Sequence, residues 1–132
     1  MTPWTASQDH LRFSETDMSG WAHNSHFMRF VENAEHELLY SLGQHPVDQE
    51  VGWPRVNFTI DFRSPLVLND PYQVILKLNK LGNSSVTWGF TIMSDQRLVA
   101  EGQMTSVQVG RDGKSKPISE ELKAKIKDAF NL

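Results

Sequence analysis

The sequence predicts an α+β fold in which a curved antiparallel sheet of about five strands wraps one long central helix. Three observations carry that prediction: a helical period confined to one long stretch, a change to period two over four later stretches, and no repeat or Gly/Ser-rich linker in 132 residues. A chain of this length buries one core, so residues 1–132 read as a single domain.

Leu11 and Phe13 alternate with Arg12 and Ser14, which predicts a first short strand. From Phe27 to Leu42 the apolar residues Phe27, Phe30, Val31, Ala34, Leu38 and Leu42 recur at helical spacing, with Arg29, Glu32, Asn33, Glu35, His36 and Glu37 at the other positions. Asn24 or Ser25 can cap this helix, Gly43 can end it in a left-handed conformation, and Pro46 blocks its continuation. Val56, Phe58, Ile60 and Phe62 then alternate with polar residues up to Pro65. The same alternation returns at Tyr72–Leu78 after Asn69-Asp70-Pro71, and at Val86–Ile92 after Leu81-Gly82-Asn83. Leu98 to Val109 reads as a long strand in which Gly102 marks a bulge or the close approach of another backbone. Arg111-Asp112-Gly113 turns the chain away, and Ser119 caps a short final helix with Leu122, Ile126 and Phe130 as its apolar stripe.

Composition removes several classes of function. Thirteen Lys and Arg against 16 Asp and Glu leave no broad positive footprint for a nucleic acid. Without cysteine there is no disulfide, thiolate nucleophile or Cys-based zinc site. No apolar run approaches the length of a membrane span, and the polar start, Met1 to His10, lacks a basic region followed by an apolar one. The expectation is a cytoplasmic protein with neither nucleic-acid nor membrane partners.

Chemistry concentrates in Ser14 to Phe27, "SETDMSGWAHNSHF". Asp17 and Gly20 form an Asp-x-x-Gly turn, and most such turns only satisfy backbone donors. Here the turn runs into a helix N-terminus, whose open N–H groups around Asn24 to Phe27 can polarise a carbonyl. A carboxylate facing such donors suits acyl transfer or hydrolysis. His23 and His26 lack a third ligand, and Glu32-Asn33-Ala34-Glu35-His36 lacks the first histidine of an H-x-x-E-H zinc site, so no metal is expected. His26, His36 and His45 read as solvated polar positions, whereas His23 lies inside the loop. Trp4, Trp53 and Trp88 suit packing, and Trp21 can line an apolar pocket. Arg55, Arg63, Lys77 and Lys80 are cations that could meet phosphates, though solvated surface is the ordinary reading of each. Ser84 and Ser85 occupy a hairpin turn. No Gly-x-Ser-x-Gly elbow or Walker glycine loop is present.

The stretch "DMSGWAHNSHFMRFVENAEHELLYSLG" resembles the Asp-x-x-Gly-His-Val-Asn-Asn-x-x-Tyr…Glu-x-Ala-Arg signature of the 4-hydroxybenzoyl-CoA thioesterase-like hotdog family, with no gap. "VNFTIDFRSPLVLNDPYQV", "LGNSSVTWGFTI" and "RLVAEGQMTSVQV" continue the likeness from about Leu11 to Val109. The resemblance implies a hotdog fold and a homo-oligomer, dimer or tetramer, whose sheets join and whose active sites lie at the interface. It implies hydrolysis of an acyl-CoA, aroyl-CoA or acyl carrier protein thioester with no cofactor, coenzyme A being part of the substrate. Asp17 matches the acid that attacks the thioester or activates water, and the Asn24 N–H matches the oxyanion donor. Gly20, Trp21, Phe27, Ser84 and Ser85 are the substrate-binding candidates, with His23 as a candidate for orienting Asp17 or the water. The chain departs from the family pattern at Trp21, where histidine or valine is usual, at His23, where it is asparagine or tyrosine, and at Glu35, where it is arginine.

Two rival readings remain. A hotdog hydratase or dehydratase places a catalytic histidine five residues after the aspartate, and here that position is Ala22. A module that binds acyl thioesters without turnover is compatible with the two unusual loop residues.

Overall fold

The computed structural model describes residues 1–45 and 50–132. Its long helix, α1 (Phe27–Ser41), forms because Phe27, Phe30, Val31, Ala34, Leu38 and Leu39 share one face, and all six are buried. Each large apolar side chain so buried contributes about 1.5–3 kcal/mol, whereas an isolated helix of this length is marginal, so packing rather than propensity holds it. At its end Gly43, with φ +90°, donates its N–H to the Tyr40 carbonyl at 3.0 Å, and the Gln44 N–H reaches the Leu39 carbonyl at 2.9 Å. Pro46, the expected helix stop, lies outside the described residues.

The strands are β1 (Trp4–Thr5), β2 (Asp9–His10), β3 (Val51–Gly52), β4 (Arg55–Phe62), β5 (Pro71–Leu81), β6 (Ser85–Ser94), β7 (Arg97–Val107) and β8 (Val109–Gly110). The main sheet runs β1-β5-β6-β7-β4, wholly antiparallel, with β2 also pairing β5 to make six strands. Strands β3 and β8 pair separately. Tyr72, Val74, Leu76 and Leu78 of β5 and Val86, Trp88, Phe90 and Ile92 of β6 are buried at alternate positions, and the ring of Phe30 on α1 lies 4.6 Å from that of Tyr72. This is the sheet wrapped on one helix that the periods predict. The second helix, α2 (Glu120–Ala129), begins where the Ser119 hydroxyl accepts the Leu122 N–H at 3.1 Å, and the buried ring of Phe130 just beyond it lies 5.9 Å from that of Trp88.

Four expectations need correction or sharpening. The segment Leu11–Ser14 is not a strand: β1 and β2 precede it, and Phe13–Glu15 is a 3-10 turn. The reason is Glu15, whose carboxylate folds back to accept the Arg12 N–H at 2.9 Å, burying Glu15 and leaving Phe13 80% exposed. Glu35, assigned to the polar face of α1, is wholly buried. It sits four residues after Val31 and three before Leu38, and its charge is met by Arg55, Trp88 and Ser106. The last long strand stops at Val107, and residues 109–110 turn to pair β3. Gly102 marks a close approach and not a bulge: a Cβ there would stand 1.9 Å from the Thr59 carbonyl oxygen, while the rungs Ile60–Gly102 and Gly102–Phe90 are regular. Among the described residues no helix is long and apolar enough to cross a membrane.

Candidate active site

A short hairpin brings the acid to the head of α1. Thr16 bridges Ala22, the Asp17 N–H donates to the Trp21 carbonyl at 2.8 Å, and the Gly20 N–H donates to the Asp17 carbonyl at 3.1 Å. Gly20 has φ +82°, and a Cβ there would meet nothing within 4 Å, so backbone conformation and not space selects glycine. One step on, the His23 N–H donates to the Glu15 carbonyl at 3.0 Å. Asp17 therefore sits on one side of the hairpin loop and Asn24 just beyond the opposite arm.

The Asp17 side chain is exposed. Its Oδ1 accepts the Ser19 N–H at 2.8 Å and the Ser19 hydroxyl, whereas Oδ2 has no hydrogen-bond partner among the described residues. The Ser19 hydroxyl first, and the Ser19 amide next, hold the Asp17 carboxyl below the usual aspartate value. It is thus a carboxylate at neutral pH, suited to act as a base or nucleophile.

The 3-10 turn Asn24–His26 that leads into α1 is capped by His23, not by Asn24 or Ser25 as the sequence suggests, while α1 itself has His26 at its N-cap with no side-chain bond. His23 leaves the hairpin in an extended conformation (φ −71°, ψ 138°), so its Nδ1 reaches over to accept the Ser25 N–H at 3.2 Å and lies 2.8 Å from Ser25 Oγ. Accepting that N–H requires a lone pair on Nδ1, an assignment made from geometry. The His26 N–H reaches the His23 carbonyl at 3.1 Å. The Asn24 N–H has no partner among the described residues, leaving one donor open at the head of the helix. His23 makes no hydrogen bond to Asp17.

Beside this donor lies an open cleft of about 280 Å³, bordered by Trp21, Asn24, Phe27, Phe62, Pro65 and Leu66. The Phe62 ring meets Phe27 edge-on, centroids 5.2 Å apart at 81°. Ser64, Pro65 and Leu66 form one wall, and the 64–70 segment is tied to the hairpin: Ala22 N–H to the Leu66 carbonyl at 2.7 Å, Leu68 N–H to the Gly20 carbonyl at 3.0 Å. Arg97 fastens the same segment, donating to Ser64 Oγ at 2.8 Å, to the Pro65 carbonyl, and to Asp70 Oδ2 at 3.1 Å.

Of the expected site residues, Trp21, Asn24 and Phe27 border the cleft. Gly20 shapes the hairpin, and Asp17 stands at its exposed end. Ser84 and Ser85 belong to the β5–β6 turn, where their carbonyls accept the Gln108 and Gly82 N–H groups. That turn is at the opposite end of β6 from Ser94, which pairs with Arg97, so a single chain does not bring the two serines to the cleft. Among the cations, Arg55 is not solvated surface, being only 15% exposed and paired to Glu35 at 2.7 Å and Glu32 at 3.2 Å. Arg63 borders the cleft and pairs with Glu101 at 3.1 Å, while Lys77 and Lys80 are exposed. Among the described residues no three acids and histidines converge on a metal position. Sequence reasoning missed Ser19, Glu15, Arg29, Phe62 and Arg97. Only Ser19 had a local signal, the Asp-x-Ser spacing of a side-chain-closed turn.

The sequence profile of the thioesterase-like superfamily matches residues 11–126. A protein of Aquifex aeolicus (strain VF5), provisionally named an esterase, is 28% identical over 121 residues, covering 89% of this chain and 94% of that one. A 1,4-dihydroxy-2-naphthoyl-CoA hydrolase of Synechococcus sp. (strain CC9605) is 28% identical over 116 residues, covering 81% and 78%. In solved structures the fold recurs in a 1,4-dihydroxy-2-naphthoyl-CoA thioesterase from Synechocystis, with TM-score 0.85, 20% identity and 96% of each chain covered.

Proposed function

Because the chain belongs to the thioesterase-like superfamily, we propose that it hydrolyses the thioester of an acyl-CoA, with Asp17 as nucleophile or general base and the Asn24 N–H as oxyanion donor. The observation that carries the reading is the pairing, across one hairpin, of an ionised carboxylate with one free oxygen and a helix-head N–H with no partner. As a base, Asp17 takes a proton from water, the hydroxide adds to the carbonyl carbon, and the Asn24 N–H holds the resulting oxyanion. The C–S bond then breaks, and the proton returns from Asp17 to the departing thiolate. As a nucleophile, Asp17 displaces the thiolate directly and water cleaves the anhydride. Thiolate is a good leaving group, so no separate strong acid is required.

The aromatic border of Trp21, Phe27 and Phe62 favours an aromatic acyl group, as in the substrates named for the 1,4-dihydroxy-2-naphthoyl-CoA enzymes. Ser84 and Ser85 reach such a substrate only from a second copy. Strand β4 supports that arrangement: among the described residues it pairs only with β7, and its Val56 and Phe62 are 60% and 45% exposed. Antiparallel pairing of two β4 edges sets the far end of one sheet beside the cleft of the other. In this assembly His23 acts through the helix cap, by placing Asn24 and Ser25. The protein works in the cytoplasm, where acyl-CoA is made and used.

The test is a panel of aliphatic and aromatic acyl-CoA esters assayed for free thiol, with Asp17→Asn alongside. The expected result is thiol release fastest on aromatic esters and lowered on the order of 10²–10⁴-fold in Asp17→Asn. Release untouched by that substitution sinks the mechanism, and binding without release leaves a binding module. A sedimentation mass of one chain at micromolar concentration sinks the β4 pairing.

A further inference from the structure

Two buried or bridging charges next to the hairpin take no part in the chemistry above, and they join its two sides. Glu15 is 5% exposed although it is an acid two residues from Asp17. Its Oε1 accepts the Arg12 N–H at 2.9 Å, its Oε2 accepts Arg29 Nη2 at 2.9 Å, and its carbonyl accepts the His23 N–H at 3.0 Å. Arg29 lies in the first turn of α1, and the same Nη2 lies 3.0 Å from His26 Nδ1, which accepts from it. One guanidinium nitrogen therefore grips the segment that carries Asp17 and the 3-10 turn (Asn24–His26) that presents the Asn24 N–H. The remaining ties across the site are backbone bonds of a loop with exposed residues on both sides.

We propose that Glu15 and Arg29 are positioning residues for hydrolysis: their ion pair sets the distance between the Asp17 carboxylate and the Asn24 N–H, and so governs turnover without touching the substrate. A carbonyl carbon attacked from one side while its oxygen is held from the other tolerates little misplacement, and an error of about 1 Å costs on the order of 10²-fold in rate. Hydrolysis needs Asp17 and Asn24 held one carbonyl group apart, with a water between them when Asp17 acts as the base. Backbone bonds close the hairpin between them, Thr16 to Ala22 and the Asp17 N–H to the Trp21 carbonyl, but among the described residues no side-chain bond runs directly from Asp17 to Asn24. Arg29 is half-exposed, its side chain 52% accessible, so Arg29→Met opens no cavity, but it leaves the buried Glu15 carboxylate with the Arg12 N–H alone, and Glu15→Gln in the double variant removes that stranded charge.

The kinetic part of this inference rests on the hydrolase reading, so its test has two arms. In the first, Arg29→Met, Arg29→Lys, Glu15→Gln and the double variant Glu15→Gln/Arg29→Met are assayed on the best acyl-CoA, with wild type and Asp17→Asn as references. The expected result is a fall in kcat of about 10- to 100-fold at nearly constant KM in Arg29→Met, partial recovery in Arg29→Lys, and a double variant no worse than the poorer single one. Equal kcat in Arg29→Met and wild type overturns the proposal, as does a loss confined to KM or to thermal midpoint. An inactive wild type would remove the hydrolase reading alone, because the second arm needs no turnover. There, amide hydrogen exchange reads the His23 N–H bonded to Glu15. Arg29→Met is expected to speed exchange at His23 while leaving the β5–β6 rungs unchanged, and equal or uniformly raised exchange rejects the positioning role.

Discussion

Asp17 and Glu35 are both acids close to α1, yet the chain treats their carboxylates in opposite ways. Glu35 is wholly buried with both oxygens occupied: Oε1 by Arg55 at 2.7 Å, Oε2 by Trp88 Nε1 at 2.5 Å and Ser106 Oγ at 2.8 Å. Asp17 is exposed and engaged through Oδ1 only, by a serine two residues away. A buried carboxylate must have its lone pairs matched or pay a large desolvation penalty, and once matched it has none left for a substrate. A reacting carboxylate needs one oxygen free and a field that keeps it ionised, which is the arrangement at Asp17. The number of uncommitted lone pairs, and not burial or charge, separates the acid that builds the fold from the acid available for chemistry.

The comparison breaks most visibly in a pair of substitutions. Asp17→Asn is expected to remove turnover, by about 10²–10⁴-fold, and to lower the unfolding midpoint only slightly, since the amide oxygen still accepts the Ser19 bonds at an exposed site though without the charge that strengthens them. Arg55→Met is expected to do the reverse. It strands the Glu35 charge in the core and costs about 3–5 kcal/mol in denaturant unfolding, while the folded fraction retains the wild-type kcat. Equal stability of Arg55→Met and wild type would mean that Glu35 is held by Trp88 and Ser106 alone.

The same contrast explains what the sequence disclosed. Periods made α1, β5–β7 and α2 legible because each buries one face, β4 kept its alternation although none of its residues is buried in one chain, and Ser119 and Gly43 marked ends whose bonds are local. The turn that carries Asp17 and the helix start that follows it were legible for a similar reason, since their parts are adjacent in the chain. Glu35 was misplaced because its partners come from residues 20, 53 and 71 positions away, and no helical pattern announces them. Phe13 was misplaced because a single carboxylate, Glu15, closes a turn that alternation cannot foresee. Ser84 and Ser85 have no place in the cleft of one chain, so their role depends on an assembly that local pattern does not describe.

The helix cap is the next test of the contrast, since His23 supports the site from its edge. His23→Ala removes the acceptor for the Ser25 N–H and is expected to cost about 1 kcal/mol in unfolding, with a several-fold fall in kcat as the Asn24 turn loosens. His23→Asn, which keeps a capping oxygen, is expected to restore both. A catalytic proton at His23 predicts instead that the asparagine variant recovers stability and no turnover, so one kinetic and one unfolding measurement separate the two roles.

The smallest effect expected is at Ser19, and it addresses the free oxygen most directly. The Ser19 hydroxyl and amide both donate to Asp17 Oδ1, which favours the charged carboxylate and lowers its pKa. The sign follows: bonds made to the ionised form stabilise the native hairpin above the unfolded aspartate pKa, and the contribution is lost as pH falls through the lower folded value. The reactive form therefore persists to lower pH than a free aspartate would, and the acid limb of kcat/KM against pH lies below the ordinary aspartate range. Ser19→Ala removes the larger of the two donors, so the acid limb is expected to move upward while the plateau changes little or rises, because a less stabilised carboxylate is the stronger base. A limb that stays in place means that a different group sets it. Activity that falls, rather than rises, as pH climbs through this range would mean that Asp17 must be protonated to act, which the geometry of its free Oδ2 opposes.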